Sequence, residues 1–275
     1  MDLKQLVLGV IGVGAMGEAL TRGILDRGLL QAKQIIIYDV RRDHMETIAR
    51  HLGVRAAADL PAVAAAADVV LLAVKPQQMD DVLSGLRGHV RRTQVIVSIA
   101  AGVTTTRIES DLGPDVPVIR VMPNTPALVG KGVCVVSPGA TATESEVAIV
   151  RALLGSVGSV FELPEAQMDT VTGLSGSGPA YVCLVIEALA DGAVEDGLPR
   201  DVALHLAAAT VAGAGEWIAQ GLARGDHPAV LRERVTSPAG TTAAGLAVLE
   251  AAAARSAFAR AVRAASARSK ELGEA

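Results

Sequence analysis

Apolar residues in the first 163 positions form short runs of Val, Ile and Leu that alternate with segments of helical periodicity. The runs predict strands at residues 6–11, 35–38, 54–56, 69–74, 95–99, 118–121, 132–136 and 159–162. Between them, apolar residues at three- and four-residue spacing predict helices, for example at residues 43–52, 79–86, 104–112 and 143–154. Strands that alternate with helices predict an α/β fold with a doubly wound parallel sheet.

The pattern changes near Pro164, beyond which no segment predicts a strand. The rest of the chain predicts helices at residues 179–194, 200–220, 227–235, 241–254 and 256–272. Prolines lie at or near the predicted helix starts or in the turns between them. We therefore divide the chain into a dinucleotide-binding domain, residues 1–163, and a helical domain, residues 164–275. The helical domain is rich in alanine, and so apolar a surface is a candidate subunit interface.

A glycine-rich loop, residues 12–17, joins the first predicted strand to the first predicted helix. A G-x-G-x-x-G match in this context is typical of dinucleotide binding. Gly12 permits the tight turn, Gly14 lets a pyrophosphate approach the backbone, and Gly17 allows close packing of helix on strand. The helix N-terminus offers N–H groups and a partial positive charge to the phosphates. The candidate cofactor contacts here are Gly12, Gly14, Ala15, Met16 and Gly17.

Asp39 closes the next predicted strand, where an acidic side chain can accept hydrogen bonds from a ribose hydroxyl. It would repel a 2′-phosphate, so the sequence predicts that NADH is used at least comparably to NADPH. Arg41 is a further candidate, because a guanidinium could clamp a 2′-phosphate if the loop folds back. The alternative is that Arg41 and Arg42 lie at a solvated helix start.

Three more loops, residues 73–76, 98–102 and 122–126, follow predicted strands at the edge where open parallel sheets bind ligands. Lys75 is the only cation among them, and Asn124 and Thr125 offer an amide and a hydroxyl that could face a nicotinamide. Each could instead be an ordinary capped loop end. The candidate cofactor contacts from these loops are Ala73, Val74, Lys75, Pro76, Ala100 and Asn124.

Two segments of the helical domain combine glycine with hydroxyl side chains. Residues 173–181 are glycine-rich, lead into a predicted helix and contain Ser175, a candidate substrate contact. Residues 235–242 place four hydroxyls, a proline and a glycine ahead of another helix. Backbone N–H groups there could form a nest for a carboxylate, and a threonine hydroxyl could bond a substrate nitrogen. An ordinary N-cap needs only one hydroxyl, so we favour the ligand interpretation.

Composition excludes several classes of protein. Hydrophobic residues make up 51% of the chain and aromatic residues only 2%, so we expect an aliphatic core. A net charge of −4 gives no electrostatic reason to expect nucleic acid or an anionic membrane as a partner. The N-terminal residues lack a basic leader, and the apolar stretch Ala62–Val74 is too short to span a bilayer. We therefore expect a cytoplasmic protein.

The cysteines and histidines form no chemical motif. Cys134 and Cys183 lie far apart and are both expected to be buried as small hydrophobic residues. The five histidines show no metal-ligand spacing, so no metal site is expected. Nucleophilic catalysis is disfavoured too, because the sequence has no G-x-S-x-G elbow and no plausible Cys–His pair.

Taken together, these motifs resemble the pyrroline-5-carboxylate reductase family. Residues 235–250, VTSPAGTTAAGLAVLE, look like the family signature, and the resemblance covers essentially the whole chain. It also includes the glycine loop, AVKP at 73–76, SIAAGV at 98–103, MPNTPA at 122–127, GLSGSGPAY at 173–181, GLPR at 197–200 and His227-Pro228.

The resemblance implies reduction of 1-pyrroline-5-carboxylate to L-proline with hydride from NADPH or NADH, the last step of proline biosynthesis. It implies a Rossmann-type domain followed by a helical dimerisation domain, in a homo-oligomer built from dimers that can assemble into decamers. Carried onto this chain, it places the substrate carboxylate at Ser237, Gly240, Thr241 and Thr242, with the Thr242 hydroxyl on the ring nitrogen as the catalytic contact. Such a site needs positioning and anion binding more than a strong acid.

One residue departs from the family pattern, and two other functions stay open. Ala239 stands where the family usually has a second glycine, and its methyl group is expected to be tolerated if φ is negative. A β-hydroxyacid dehydrogenase, or another imine reductase, shares the architecture, but residues 179–195 lack the lysine that the dehydrogenase family places there. A non-catalytic nucleotide sensor or scaffold is the other alternative. The absence of expected site residues would favour it, but none of them is absent.

Overall fold

The computed structural model describes residues 3–274, and within them the chain up to Glu162 folds around an eight-stranded sheet. The strands are β1 Leu8–Ile11, β2 Ile35–Tyr38, β3 Arg55–Ala56, β4 Val69–Leu72, β5 Val95–Ser98, β6 Val118–Met122, β7 Gly132–Pro138 and β8 Gly158–Glu162. Their order is β3-β2-β1-β4-β5-β6-β7-β8. All neighbours pair in parallel except β6 and β7. The connection between these two is too short for a crossover, so the pair is antiparallel.

The helices lie close to their predicted positions. They are α1 Ala15–Asp26, α2 Arg42–Leu52, α3 Leu60–Ala66, α4 Met79–Leu86, α5 Thr105–Leu112, α6 Glu144–Leu154, α7 Met168–Val171, α8 Gly178–Glu195, α9 Arg200–Ala223, α10 Pro228–Arg234, α11 Thr241–Ala251 and α12 Ala254–Glu274. Polar caps fix some of the starts: the Asp59 carboxylate accepts the Ala62 N–H at 2.8 Å. The glycine-rich segment is not a loop, because Thr172–Gly176 forms a π-helical turn that joins α7 to α8.

Helices cover both faces of the sheet. Successive residues of a strand point to opposite faces, so Val69 and Leu71 lie in one apolar cluster while Val70 and Leu72 lie in another. Both clusters consist almost entirely of aliphatic side chains, as the composition predicted. Burial on two faces explains why the central strands are uninterrupted apolar runs.

Contacts divide the chain into two compact units. One extends to Ser177 and also includes the chain from Arg263 onward, and the other comprises Gly178–Val262. The division comes later than residue 163 because Met168 and Val171 pack on Val135 of β7. The division near residue 163 between a dinucleotide-binding domain and a helical domain therefore stays a prediction. Helix α12 contributes residues to both units.

The second unit buries few of its own apolar residues. Ala190 of α8 and Ala203 and Ala207 of α9 form a small buried cluster. Many large side chains are exposed, namely Val182, Leu184, Leu189, Leu198, Val202, Leu204, Leu206, Leu222, Val230, Val235, Val248, Leu249 and Phe258. The stretches Glu165–Glu195 and Arg200–Ala223 are long and apolar enough to cross a membrane by length and composition alone.

The two cysteines differ in environment. Cys134 is buried in β7, and burial raises the pKa of its thiol to about 11, so it is not a nucleophile at neutral pH. Cys183 is exposed on α8, so the expectation that both would be buried was wrong for this residue. Because α8 is apolar on most of its circumference, its sequence does not indicate which face packs inside the unit.

Candidate functional site

The three glycines of the loop at residues 12–17 have different surroundings. Gly12 adopts φ +91°, and its N–H donates to the Tyr38 carbonyl at 2.8 Å. A Cβ at Gly17 would overlap the Gly12 carbonyl oxygen, so α1 starts directly against the turn. A Cβ at Gly14, by contrast, would meet nothing within 4 Å, and among the described residues no side chain caps α1. The backbone at Gly14 is therefore open to an anion.

Asp39 is buried beneath this loop and joined to Arg41. Its Oδ2 accepts the Val13 N–H at 3.0 Å, and Oδ1 accepts the Arg41 N–H at 2.9 Å. The Arg41 guanidinium folds back onto the carboxylate, with Nε to Oδ1 and Nη2 to Oδ2 both at 3.1 Å. Burial by itself raises the pKa of Asp39, but the hydrogen bonds from Arg41 and Val13 outweigh it, so the pKa lies below its usual value. The carboxylate is ionised, and the arginine offsets its charge.

One of the three other loops packs on the glycine turn, and a second follows the neighbouring strand at the same edge of the sheet. The Ala73 N–H donates to the Ile11 carbonyl at 2.8 Å, and the Ala73 backbone packs directly against Gly12. Lys75 is exposed, and Pro76 starts a 3₁₀ turn, Pro76–Gln78. Ala100, after β5, is buried, with its N–H on the Ser98 hydroxyl at 3.3 Å. The sheet edge thus brings the predicted loops together, while cofactor contact by their residues stays a prediction.

Asn124 has a structural role that the sequence did not reveal. Its side chain is buried, with Nδ2 donating to the Ser175 carbonyl at 3.0 Å and Oδ1 accepting the Val133 N–H at 2.8 Å. The Ser175 hydroxyl donates within its own helical turn, to the Val171 carbonyl at 3.1 Å. Asn124 therefore ties the loop after β6 to the π-helical turn, which leaves its amide little freedom to face a nicotinamide.

A buried arginine forms an ion pair with a half-buried glutamate that also bonds the start of α5. Arg120 of β6 is 6% exposed, and its Nη1 donates to Glu165 Oε1 at 3.2 Å. The same carboxylate accepts the N–H and the hydroxyl of Thr105, at 2.9 and 2.6 Å, and so caps α5. Sequence reasoning missed these residues. The available signal was an arginine inside an apolar strand, since a buried charge needs a partner, but nothing in the pattern names Glu165.

The segment of residues 235–242 lies between α10 and α11 in the second unit. The Thr236 hydroxyl donates to the Arg232 carbonyl at 2.7 Å, so it closes α10. Gly240 is the N-cap of α11, and Thr241 and Thr242 are the first residues of the helix and are exposed. Within the described residues, no side chain caps this helix start. Hydroxyls and N–H groups at the beginning of α11 are therefore available to a ligand.

Ala239 corrects one expectation. Its φ is +54°, in the left-handed region, whereas tolerance of its methyl group was expected only for negative φ. The turn between α10 and α11 imposes this conformation, which costs an alanine about 1–2 kcal/mol. This explains physically why glycine suits the position.

We predict that Ala239→Gly raises the free energy of unfolding by about 0.5–1 kcal/mol, the relief of left-handed strain less the larger chain entropy of glycine. Ala253→Gly, at φ +55° outside the motif, should give a similar gain. Ala244→Gly, inside α11, should instead lower stability by about 1 kcal/mol. Urea unfolding measures all three. A loss of stability in Ala239→Gly would contradict the strain argument.

Comparison with known proteins identifies the family. A model described as pyrroline-5-carboxylate reductase dimerisation matches residues 165–272, and one described as NADP oxidoreductase, coenzyme F420-dependent, matches residues 7–102. A pyrroline-5-carboxylate reductase from Methanosarcina acetivorans is 43% identical over 99% of this chain and 100% of its own length. The chain belongs to the pyrroline-5-carboxylate reductase family. The family and the oxidoreductase class predicted from the motifs are therefore confirmed.

Solved structures of family members have the same fold over the whole chain. The pyrroline-5-carboxylate reductase of Coxiella burnetii has a TM-score of 0.91 at 33% identity and covers 98% of this chain and 99% of its own. That of Plasmodium falciparum, solved with NADP bound, has a TM-score of 0.85 at 30% identity, with coverage of 98% and 99%. The predicted Rossmann-type fold with a helical dimerisation part is confirmed.

Described side chains offer no site for a metal. Among the side chains described, those of residues 3–273, no group of three His, Cys, Asp or Glu is arranged to hold an ion. The candidate chemistry of this family member consists of a glycine loop open at Gly14 in the first unit and an uncapped, hydroxyl-rich helix start in the second. Neither presents a nucleophile or a strong acid, which suits transfer of hydride to an already activated substrate.

Proposed function

We propose that the chain reduces 1-pyrroline-5-carboxylate to L-proline with hydride from NADPH or NADH, the last step of proline biosynthesis. The observation that carries the proposal is the uncapped start of α11, where the family signature places Thr241 and Thr242. Consumption of NAD(P)H on addition of the imine tests it directly. A protein that binds the cofactor but never oxidises it with this substrate would contradict the proposal.

The roles of the residues follow from the chemistry of the substrate. The substrate carboxylate lies at Gly240 and accepts hydrogen bonds from the Ser237 hydroxyl and from the N–H groups of Thr241 and Thr242, with the helix dipole adding to the attraction. The Gly240 N–H itself is already donated to the Ser237 carbonyl, at 3.0 Å. The Thr242 hydroxyl holds the ring nitrogen, and Ser175 is a further candidate contact. A protonated imine accepts hydride at carbon and becomes the product amine without further proton transfer. The protein therefore contributes orientation and charge complementarity.

The cofactor lies, in this proposal, along the glycine loop. The pyrophosphate approaches the backbone at Gly14 and the N–H groups of Ala15 and Met16, while Asp39 or Arg41 meets the adenosine ribose. The loops after β4 and β5 complete the site through Ala73, Val74, Lys75, Pro76 and Ala100. Asn124, whose amide is already bonded to Ser175 and Val133, contributes by fixing the loop after β6. When bound, the nicotinamide supplies the hydride.

The Asp39–Arg41 pair decides the choice of cofactor. Arg41 reduces the repulsion between Asp39 and a 2′-phosphate, but it must leave the carboxylate to bind a phosphate fully. We predict that NADH is used at least comparably to NADPH. Asp39→Asn, which keeps an acceptor for the Val13 N–H, should raise kcat/KM for NADPH roughly fivefold, since a screened charge pair is worth about 1 kcal/mol.

Measuring kcat/KM for both cofactors in the parent, Asp39→Asn and Arg41→Ala checks this choice. Arg41→Ala exposes the Asp39 charge and should widen the preference for NADH. A parent strongly selective for NADPH, with no gain in Asp39→Asn and a loss in Arg41→Ala, would show that Arg41 governs the pocket instead.

The exposed apolar helices of the second unit are, in this proposal, covered by another copy of the chain. Burying Leu206, Val248 and Leu249 removes apolar area from water that the unit itself leaves exposed. The family model that matches residues 165–272 is itself described as a dimerisation region. We propose a cytoplasmic homo-oligomer with the dimer as its minimal unit and decamers as a further assembly, without nucleic acid or membrane as a partner.

We predict that light scattering at low micromolar protein gives a dimer or a multiple of it. Leu206→Asp should shift the species toward monomer and lower stability, because a charge would be buried in the interface. Leu128→Asp, at a leucine of the first unit that is equally exposed, is the matched control and should leave the mass unchanged. A stable, active parent monomer, or a parent recovered with membranes, would contradict the proposed assembly.

A further inference from the structure

The last turn of α12 lies against the loop that follows β5. The Ser269 hydroxyl is buried and donates to Asp169 Oδ1 at 2.7 Å. Four residues later, Gly273 meets Gly102 so closely that a Cβ at Gly273 would lie 3.0 Å from the Gly102 carbonyl oxygen. All four residues belong to the unit that contains the sheet. Two contacts thus fix the end of α12 beside the ligand-binding edge.

The loop after β5 is held at two points. Gly102 adopts φ +77°, and a Cβ there would lie 3.2 Å from the Gly273 backbone, so both its conformation and its contact require glycine. At the start of α5, Thr105 is fixed by its two hydrogen bonds to Glu165. Between Ser98 and these two points lies Ala100, a candidate cofactor contact. The position of Ala100 therefore depends on what holds Gly102.

We propose that the last turn of α12 positions residues 99–103 for the nicotinamide cofactor, with Gly273 as the positioning residue. The proposal rests on the proposed cofactor site and not on the identity of the imine. A methyl group at Gly273 would press on the Gly102 carbonyl and displace the loop by a few tenths of an ångström. Gly273 is the last residue but one of α12, where the difference in helix propensity between glycine and alanine counts little. The free energy of unfolding should therefore change little while cofactor affinity falls.

Gly273→Ala is expected to raise the Kd of the preferred cofactor about threefold to tenfold, because a slightly displaced loop weakens its hydrogen bonds to the cofactor without removing them. The melting temperature should change little. Gly192→Ala, in α8, is the matched control, because its Cβ would meet nothing within 4 Å. Fluorescence titration of NADH and NADPH measures Kd without the imine.

A second pair of variants checks the other contact. Ser269→Ala removes the hydrogen bond to Asp169 and should weaken cofactor binding in the same direction as Gly273→Ala. Asp169→Asn keeps an oxygen that accepts from Ser269 and should bind cofactor like the parent. Parental Kd values in both Gly273→Ala and Ser269→Ala would overturn the proposal.

The same titration separates this proposal from the proposed function. A parent that binds cofactor normally but does not reduce the imine would overturn only the assignment of the substrate, and the Kd comparison would still support the role of α12. A parent that binds neither NADH nor NADPH would overturn the cofactor site and the positioning proposal together.

Discussion

Thr242→Val is expected to lower kcat for the imine roughly tenfold to a hundredfold, while the Kd of the cofactor changes little. The variant removes one hydroxyl of nearly the same shape, and losing such a contact costs on the order of 1–3 kcal/mol. Thr242 is exposed at the start of α11, so folding should be almost unaffected. Steady-state kinetics with cofactor titration measure both quantities.

Two further variants sharpen the result. Thr242→Ser keeps the hydroxyl and should recover most of the activity. Thr236→Val removes a neighbouring hydroxyl that is already bonded to the Arg232 carbonyl, so it should affect stability more than turnover. Parental kcat/KM in Thr242→Val would remove Thr242 from the catalytic site.

Gly14→Ala is expected to weaken cofactor binding roughly tenfold to a hundredfold, because its methyl group would occupy the space that the pyrophosphate needs. The pyrophosphate would then lose charge-assisted hydrogen bonds to the backbone, which are worth about 1.5–3 kcal/mol. The unliganded protein should keep its stability, since that methyl group would meet nothing within 4 Å. Gly14 has φ −70°, which alanine adopts without strain.

Gly17→Ala is the contrasting variant. Its methyl group would overlap the Gly12 carbonyl oxygen, so we expect lost stability as well as lost binding. Melting temperature and cofactor Kd, measured on the same preparations, separate the two effects. Normal cofactor affinity in Gly14→Ala would place the pyrophosphate elsewhere.

The local pattern of the sequence was sufficient for the elements and for the family. Strands β1, β4 and β5 are short, β-branched and buried on both faces, and turn signals bound them, so each is distinct without knowledge of its neighbours. Helix starts such as Asp59 depend on a side chain bonding an N–H three residues away, which is a local contact. The glycine loop and residues 235–250 are contiguous, so their chemistry is readable in one stretch.

Tertiary structure alone decided which side chains meet across long separations. Asn124 bonds Ser175, Arg120 bonds Glu165, and Ser269 bonds Asp169, pairings that join residues 45 to 100 positions apart. The periodicity of the sequence does not encode such pairs, because each of these polar side chains could bond equally well to several others. The positive φ of Ala239 could not be predicted for the same reason, because it depends on how the chain turns from α10 into α11.

For the helices of the second unit, the sequence predicts that they form but not which of their faces are buried. Their existence follows from length, alanine content and the bounding prolines and glycines, all of which are local. Which faces are buried does not follow, because α8, α9 and α11 are apolar around most of their circumference and give no dominant direction. The sequence by itself therefore determined the elements, the fold class and the family. The fold decided which carboxylate is paired, which hydroxyl is already bonded and which loop the end of α12 contacts, because those depend on distances that only packing sets.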